Sequence, residues 1–279
     1  MPIVRVWNGA AWVDKDDKAD FTYWNGGDWT EPSDVRVWNG AAWQSVFASE
    51  PGEGIELRTV SQATAPTSAN SITVNIPGSV QPGDCMVLVV GYTANNEPLF
   101  DPIAGWTKQF ELRPGTANFR TAVFTRIAQN GDEGSAVTST TTIASPGTTN
   151  HLSAQLRVYS GVDQDTPLDT AIELATAASP NVSTASAPAI TVATADAMLI
   201  AVYALPTTTG TTLTAGDWTG PTGFGNQLVV CPATGNGNRP CLAVYDRITP
   251  GTGSQGPFQA SIPQERPWAL ATIALRPAP

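Results

Sequence analysis

Val4-Arg5-Val6-Trp7-Asn8-Gly9-Ala10-Ala11-Trp12 returns residue for residue as Val35-Arg36-Val37-Trp38-Asn39-Gly40-Ala41-Ala42-Trp43. A looser copy, Phe21-Thr22-Tyr23-Trp24-Asn25-Gly26-Gly27-Asp28-Trp29, lies between them. Each copy sets Asn-Gly between β-branched and aromatic residues. This is a hairpin signal, because a type I′ turn needs positive φ at both central residues and its twist matches that of the flanking strands. Turns are expected at Asn8-Gly9, Asn25-Gly26 and Asn39-Gly40. Six of the nine tryptophans sit in these units, as Trp7, Trp12, Trp24, Trp29, Trp38 and Trp43. A lone hairpin is marginal in water; aromatic pairing across the turn adds about 0.5–1.5 kcal/mol and still leaves much indole surface uncovered. Residues 1–47 are therefore expected to anchor or oligomerise the chain, completed by copies of themselves or by a docking surface on a larger assembly. A self-contained three-hairpin sheet and a sugar-stacking platform of exposed Trp are the competing readings.

The remaining chain is long enough for one large all-β domain or two smaller ones. With 25 Gly, 23 Pro and only 14% charged residues, its composition is that of strands and turns. Lysine occurs only at Lys15, Lys18 and Lys108, which excludes helices rich in Glu and Lys. A formal charge of -10 opposes nucleic-acid and anionic-membrane partners, since both demand positive charge. Met1 leads directly into the first hairpin strand, so no secretory signal is expected. The apolar runs are strand-length, well short of the roughly 20 residues a bilayer requires.

Residues 48–54, Ala48-Ser49-Glu50-Pro51-Gly52-Glu53-Gly54, read as a linker. Beyond it, apolar strands are expected at 71–76, 85–92, 121–127, 152–159, 197–204, 242–248 and 269–275, separated by Gly, Pro, Asn and Thr. No segment is convincingly helical; the best short candidate is 168–178. The pattern is that of a large antiparallel β-sandwich, jelly-roll-like, over 55–279. A weaker repeat runs through it. Asp84-Cys85-Met86 is echoed by Asp196-Ala197-Met198, Gly105-Trp106-Thr107 by Asp217-Trp218-Thr219, and Ala122-Val123-Phe124-Thr125-Arg126-Ile127 by Ala243-Val244-Tyr245-Asp246-Arg247-Ile248. Residues 55–279 thus read as two related halves, about 55–165 and 180–279, joined by 160–179.

No catalytic constellation stands out. The one histidine, His151, sits in a turn-like stretch and is expected to be exposed, which leaves no Ser-His-Asp or Cys-His arrangement and no His-rich zinc site. No cofactor is implied. Asp163, Asp165 and Asp169 could surround a Ca²⁺, but the stretch lacks the Gly and Glu of an EF-hand loop and reads as a solvated loop. A two-carboxylate glycosidase is a matter of spatial pairing, which sequence does not decide. Cys85 reads as a small core residue, and Cys231 and Cys241 could close a surface loop in an oxidising medium. Trp106 and Trp218, at equivalent places in the two halves, read first as core plugs; an exposed Trp218 would make the Thr- and Gly-rich loop 207–226 a candidate glycan contact.

The tandem Val-x-Val-Trp-Asn-Gly-Ala-Ala-Trp units resemble the short Trp-Asn-Gly repeats of minor tail proteins of tailed phages that infect actinobacteria. The larger domain is similar to the β-sandwich that often follows them, through Gly83-Asp84, Gly105-Trp106-Thr107, Tyr159-Ser160-Gly161-Val162-Asp163 and Ala274-Leu275-Arg276-Pro277. The resemblance implies a non-enzymatic virion component of the tail, made in the host cytoplasm without a signal and attached to other tail proteins. It further implies a homo-oligomer, a trimer first among the choices, with a host cell-wall glycan as the contact. A capsid-decoration or head-fibre protein and a carbohydrate-binding or glycan-cleaving module are the alternatives.

Overall fold

Continuous apolar runs such as Cys-Met-Val-Leu-Val-Val satisfy a strand only if both faces of its sheet are covered, and that requirement organises the fold. The computed structural model describes residues 54–65, 69–93, 99–115, 118–142, 150–207, 213–232, 239–249 and 251–279, and the backbone of six short strands before residue 46. The chain divides into two compact units, residues 1–53 with Pro279, and 54–278. Among the described residues the structure is nearly all β, with every strand pair antiparallel.

In the first unit β1 (Val4–Trp7) pairs with β2 (Trp12–Lys15), β3 (Tyr23–Trp24) with β4 (Trp29–Thr30), and β5 (Arg36–Trp38) with β6 (Trp43–Ser45). The registers are repeats of one another: Trp7 opposes Trp12, Trp24 opposes Trp29 and Trp38 opposes Trp43. The three expected Asn-Gly turns, the six indole side chains and most of the 48–54 linker lie outside the described residues.

The second unit contains two seven-strand sets. The first comprises β7 (Glu56–Ala65), β8 (Ser71–Asn75), β9 (Cys85–Thr93), β10 (Thr107–Leu112), β11 (Phe119–Ile127), β12 (Ala136–Thr140) and β13 (His151–Ser160). The second comprises β14 (Glu173–Ala187), β15 (Ile190–Val192), β16 (Met198–Thr207), β17 (Gly225–Val230), β18 (Arg239–Ile248), β19 (Gly253–Gln255) and β20 (Phe258–Leu275). Their sheets have the same order: β10-β11-β9-β13-β7 with β12-β8 in one, and β17-β18-β16-β20-β14 with β15-β19 in the other. Seven strands arranged identically twice constitute an internal duplication of topology. The second half begins at Glu173, which already pairs with Thr272, and not near 180. The helix candidate 168–178 runs into β14.

Three apolar cores explain the continuous runs. Along β9, Met86, Leu88 and Val90 meet Ile72 and Val74 of the two-stranded sheet in the first core. Leu199, Ala201 and Tyr203 of β16 likewise meet Ile190 and Val192 in the second. The alternate residues Cys85, Val87 and Val89 face Met198, Ile200 and Val202 across a third core, where the two five-stranded sheets pack face to face. The pairing registers align the halves: Cys85 opposes Ile127 and Tyr159, while Met198 opposes Ile248 and Leu275. Cys85 is therefore the counterpart of Met198. The sequence echo, which sets Met86 against Met198, is one residue out of register. A slip of one flips a side chain to the other face, and Met86 and Met198 do belong to different cores.

The halves have diverged at one edge. Register shifts between Ala177 and Val182, and between Val182 and Thr184, carry β14 away from the five-stranded sheet. It continues with the start of β20 as a two-stranded ribbon whose Ala185, Ala187, Phe258 and Ile262 join the second core. Bulges of this kind bend a strand and increase its twist.

Close approach of the two five-stranded sheets depends on Gly91 in β9, where a Cβ would lie 2.9 Å from Leu242 Cδ2 and 3.0 Å from Pro240 Cβ. Gly91→Val is expected to destabilise the chain by about 1–3 kcal/mol through overpacking, measured as a lower chemical-denaturation midpoint with an unchanged m-value.

Candidate functional surfaces

Apolar strands that bury both faces leave little room for polar chemistry, so the buried polar groups are informative. Trp218 is only 5% exposed and stands edge-on to Trp268 at 5.6 Å between centroids, which in turn stacks edge-on with Tyr203 at 6.2 Å. Its ring is a plug of the second core and offers no face to a sugar. Trp106, by contrast, is half-buried against the first core. His151 was expected on an exposed turn; it is the first residue of β13, opposite Thr93, and fully buried. Leu152 and its apolar neighbours pull the strand start into the core.

Cys231 and Cys241 form a disulfide with Cα atoms 4.4 Å apart. It links the strand β18 to the segment after β17. Cys85 is free and buried, and burial pushes its thiol up to about 12, with Asp84 adding to the effect. Asp163 spends its carboxylate on its own turn, accepting from the backbone N–H of Asp165 and Thr166 at 3.0 Å each and from the Thr166 hydroxyl at 2.9 Å. The hydrogen bonds from Thr166 hold its carboxyl below the usual range. Asp169 is buried and accepts from the amides of Ala193 at 2.6 Å and Thr194 at 3.2 Å, pinning the connector to the second half. Burial raises its carboxyl, and the hydrogen bonds from Thr194 and Ala193 and the nearby Arg276 outweigh that, leaving it lowered. Among the described residues no cluster of His, Cys, Asp and Glu could hold a metal ion.

The strongest polar arrangement lies between the two five-stranded sheets. β13 alternates: Leu152, Ala154, Leu156 and Val158 enter the first core, while Ser153, Gln155, Arg157 and Tyr159 face the other sheet, all fully buried. Their counterparts on β20, by pairing register, are Ala269, Ala271, Ile273 and Leu275. Arg157 is ion-paired with Asp246, donates from Nε to the Tyr159 hydroxyl at 2.8 Å and from Nη2 to the Asn226 carbonyl at 2.9 Å. Tyr159 donates to Asp246 Oδ2 at 3.0 Å, Asn226 Nδ2 donates to Asp246 Oδ1 at 2.6 Å, and the Ser153 hydroxyl donates to the Pro240 carbonyl at 2.7 Å. Burial opposes the Arg157 charge, but Tyr159 and Asp246 more than offset it, and the guanidinium is held above its ordinary value. Asn226 reaches this position in a left-handed conformation, φ 50°, inside the bulge of β17. Asn tolerates that region better than most side chains.

Surface depressions are shallow. Two occupy corresponding places in the halves. One, of about 390 Å³, is lined by Cys85, Thr107, Thr125, Ile127 and Leu168; the other, also about 390 Å³, by Met198, Gly225, Asp246, Ile248 and Ile55. Glu56 shares the second with Asp246, but both Asp246 oxygens are engaged by Arg157, Tyr159 and Asn226, which makes it an anchor and not half of a catalytic pair. A third depression, of about 300 Å³, runs between residues 219–222 and 257–261.

The buried Arg157–Asp246 pair joins the two halves. Removing one partner leaves an uncompensated buried charge: Asp246→Leu or Arg157→Met should each cost about 3–5 kcal/mol, whereas Arg157→Met with Asp246→Leu should recover most of that loss. A double-mutant cycle by urea denaturation measures it.

Comparison with protein-family models, with characterised proteins and with solved structures found no match to this chain.

Proposed function

We propose that this chain is a non-enzymatic structural component of a phage virion, a minor tail or tail-tip protein. It attaches through residues 1–47 and presents residues 55–279, a sandwich-like module, to the host surface. The observation that carries the reading is the threefold repetition of one strand pair, each closing on an opposed pair of tryptophans, in a unit separate from the large one. Two-stranded sheets need a covering surface, and aromatic side chains that bury roughly 150–250 Å² each provide a large apolar contact once such a surface arrives. Tail neighbours or further copies of the chain, in a trimer, supply it; Trp7, Trp12, Trp24, Trp29, Trp38 and Trp43 are the anchoring residues.

The second unit supports the displayed role. It has three cores of its own, an ion pair locking its halves, and a disulfide. Such rigidity suits a module that contacts a surface repeatedly, with weak contacts multiplied by copy number.

Deletion of residues 1–47 tests the attachment. The truncated chain is expected to remain folded by circular dichroism and to be missing from purified particles when it replaces the full chain in a complemented phage. Incorporation of the truncated chain at full-length levels contradicts the reading.

A further inference from the structure

The two halves differ after their equivalent tryptophans. In the first half Trp106 leads directly into β10 at Thr107, which opposes Thr125. In the second, Trp218 is separated from the counterpart of Thr107, Gly225 opposite Asp246, by Thr219-Gly220-Pro221-Thr222-Gly223-Phe224. This inserted loop faces the ribbon, which among the described residues is formed only by the second half, and the depression of about 300 Å³ lies between them.

Both walls are fixed. Thr219 and Ser261 exchange two backbone hydrogen bonds of 2.9 Å each, and the Phe224 amide closes a turn onto the Pro221 carbonyl at 3.2 Å. Beneath the loop, Gly220 lies against the ring of Tyr245: a Cβ there would come within 2.2 Å of Tyr245 Cε1 and 2.7 Å of Cζ, the atom that carries the hydroxyl. The missing side chain therefore brings the phenolic end of Tyr245 to the base of the loop. Tyr245 is 3% exposed and Trp218 5%, yet among the described residues neither the Tyr245 hydroxyl nor the Trp218 Nε1 has a hydrogen-bond partner. Leaving a buried donor unsatisfied costs roughly 1–3 kcal/mol. Tyr245 lies directly behind Gly220, a lining residue of the depression, and Trp218 directly precedes the lining residue Thr219.

The lining selects the class of guest. It presents the hydroxyl-bearing Thr219, Thr222 and Ser261, the amide of Gln259, and the rings of Pro257 and Phe258, with no charged residue. Arg247 is not part of the lining: its guanidinium lies 4.9 Å from the Phe224 ring centre and 5.1 Å from that of Phe258, and it donates to Gln255 at 3.2 Å. An acidic ligand finds no counter-charge in the lining itself. A docking peptide strand finds the Thr219 and Ser261 backbones already paired. A sugar ring, with hydroxyls at its edge and C–H groups on its face, matches both the hydroxyl and amide rim and the apolar rings, and a volume of about 300 Å³ is at the lower end of small-molecule sites, roughly 300–1,000 Å³. The geometry points to this depression as a binding site for a neutral glycan, one or two sugar rings deep. The inference rests on the host-contact reading and gives that contact a location and a ligand class.

The full-length chain is tested against an array of neutral, sulfated and uronic-acid oligosaccharides, and the best neutral binder is then titrated calorimetrically. Neutral sugars are expected to bind. Thr222→Ala with Gln259→Ala should weaken that binding at least tenfold. Tyr245→Phe should weaken it several-fold while leaving the thermal midpoint unchanged or raised, because it removes an unsatisfied hydroxyl; a purely structural Tyr245 would not move affinity. Binding restricted to acidic sugars, no binding of neutral sugars, or neutral binding indifferent to all these changes overturns the site. Attachment is read separately, from incorporation of the same full-length chain into particles, so the site can fail while the virion role stands.

Discussion

The whole second unit follows from one constraint: each central strand is apolar on both faces, so each five-stranded sheet needs two covers. β9 and β16 make the constraint plain, with every residue of Cys85–Thr93 and Met198–Thr207 buried. A two-stranded sheet covers one face. The other is covered mainly by the sister sheet. The core between them takes Met198, Ile200, Val202, Leu242, Val244, Ile273 and Leu275 from the second half. At about 1.5–3 kcal/mol for each large aliphatic side chain buried, exposing those seven would cost as much as a domain's whole stability, roughly 5–15 kcal/mol. The halves are thus separate in topology and inseparable in energy.

Within that shared frame the two copies have taken different work. The first half places its polar stripe, Ser153 to Tyr159, against the second, and its Arg157 finds Asp246 where the first half itself carries Thr125. A buried ion pair of this kind adds little net stability over apolar packing; here it ties Arg157 of one sheet to Asp246 of the other. The second half instead lengthens β14 and β20 into a ribbon, which covers Trp218 and, with the loop after it, frames the neutral depression. One copy became the lock and the other acquired a surface feature.

Much of this was legible in the sequence. The six doubly buried strands announced themselves as apolar runs, and their repetition pointed to two halves. The strands that went unseen, β7, β10, β12, β14, β15, β17 and β19, lie at sheet edges or in the two-stranded covers, where Ser, Thr, Gln and Glu alternate with few apolar residues and local pattern is weak. β13 alternates Leu, Ala and Val with Ser, Gln and Arg, and the second sheet lying over it is what buries Arg157. His151 read as exposed because turn-forming Thr and Asn precede it. Trp218 could be a plug or a platform until the ribbon was placed over it, and that ribbon depends on register shifts that no spacing in the sequence reveals. The depression joins residues some forty positions apart, and its clue was Gly220, a residue whose importance is what it fails to cover.

The claim that the two sheets are obligate partners is tested most directly by producing residues 170–279 alone and measuring molar mass by light scattering alongside urea denaturation. The account predicts that this half is either insoluble or a self-associated species that buries the exposed sheet face against another copy. A soluble monomer that unfolds cooperatively, with stability close to that of the full chain, would contradict it.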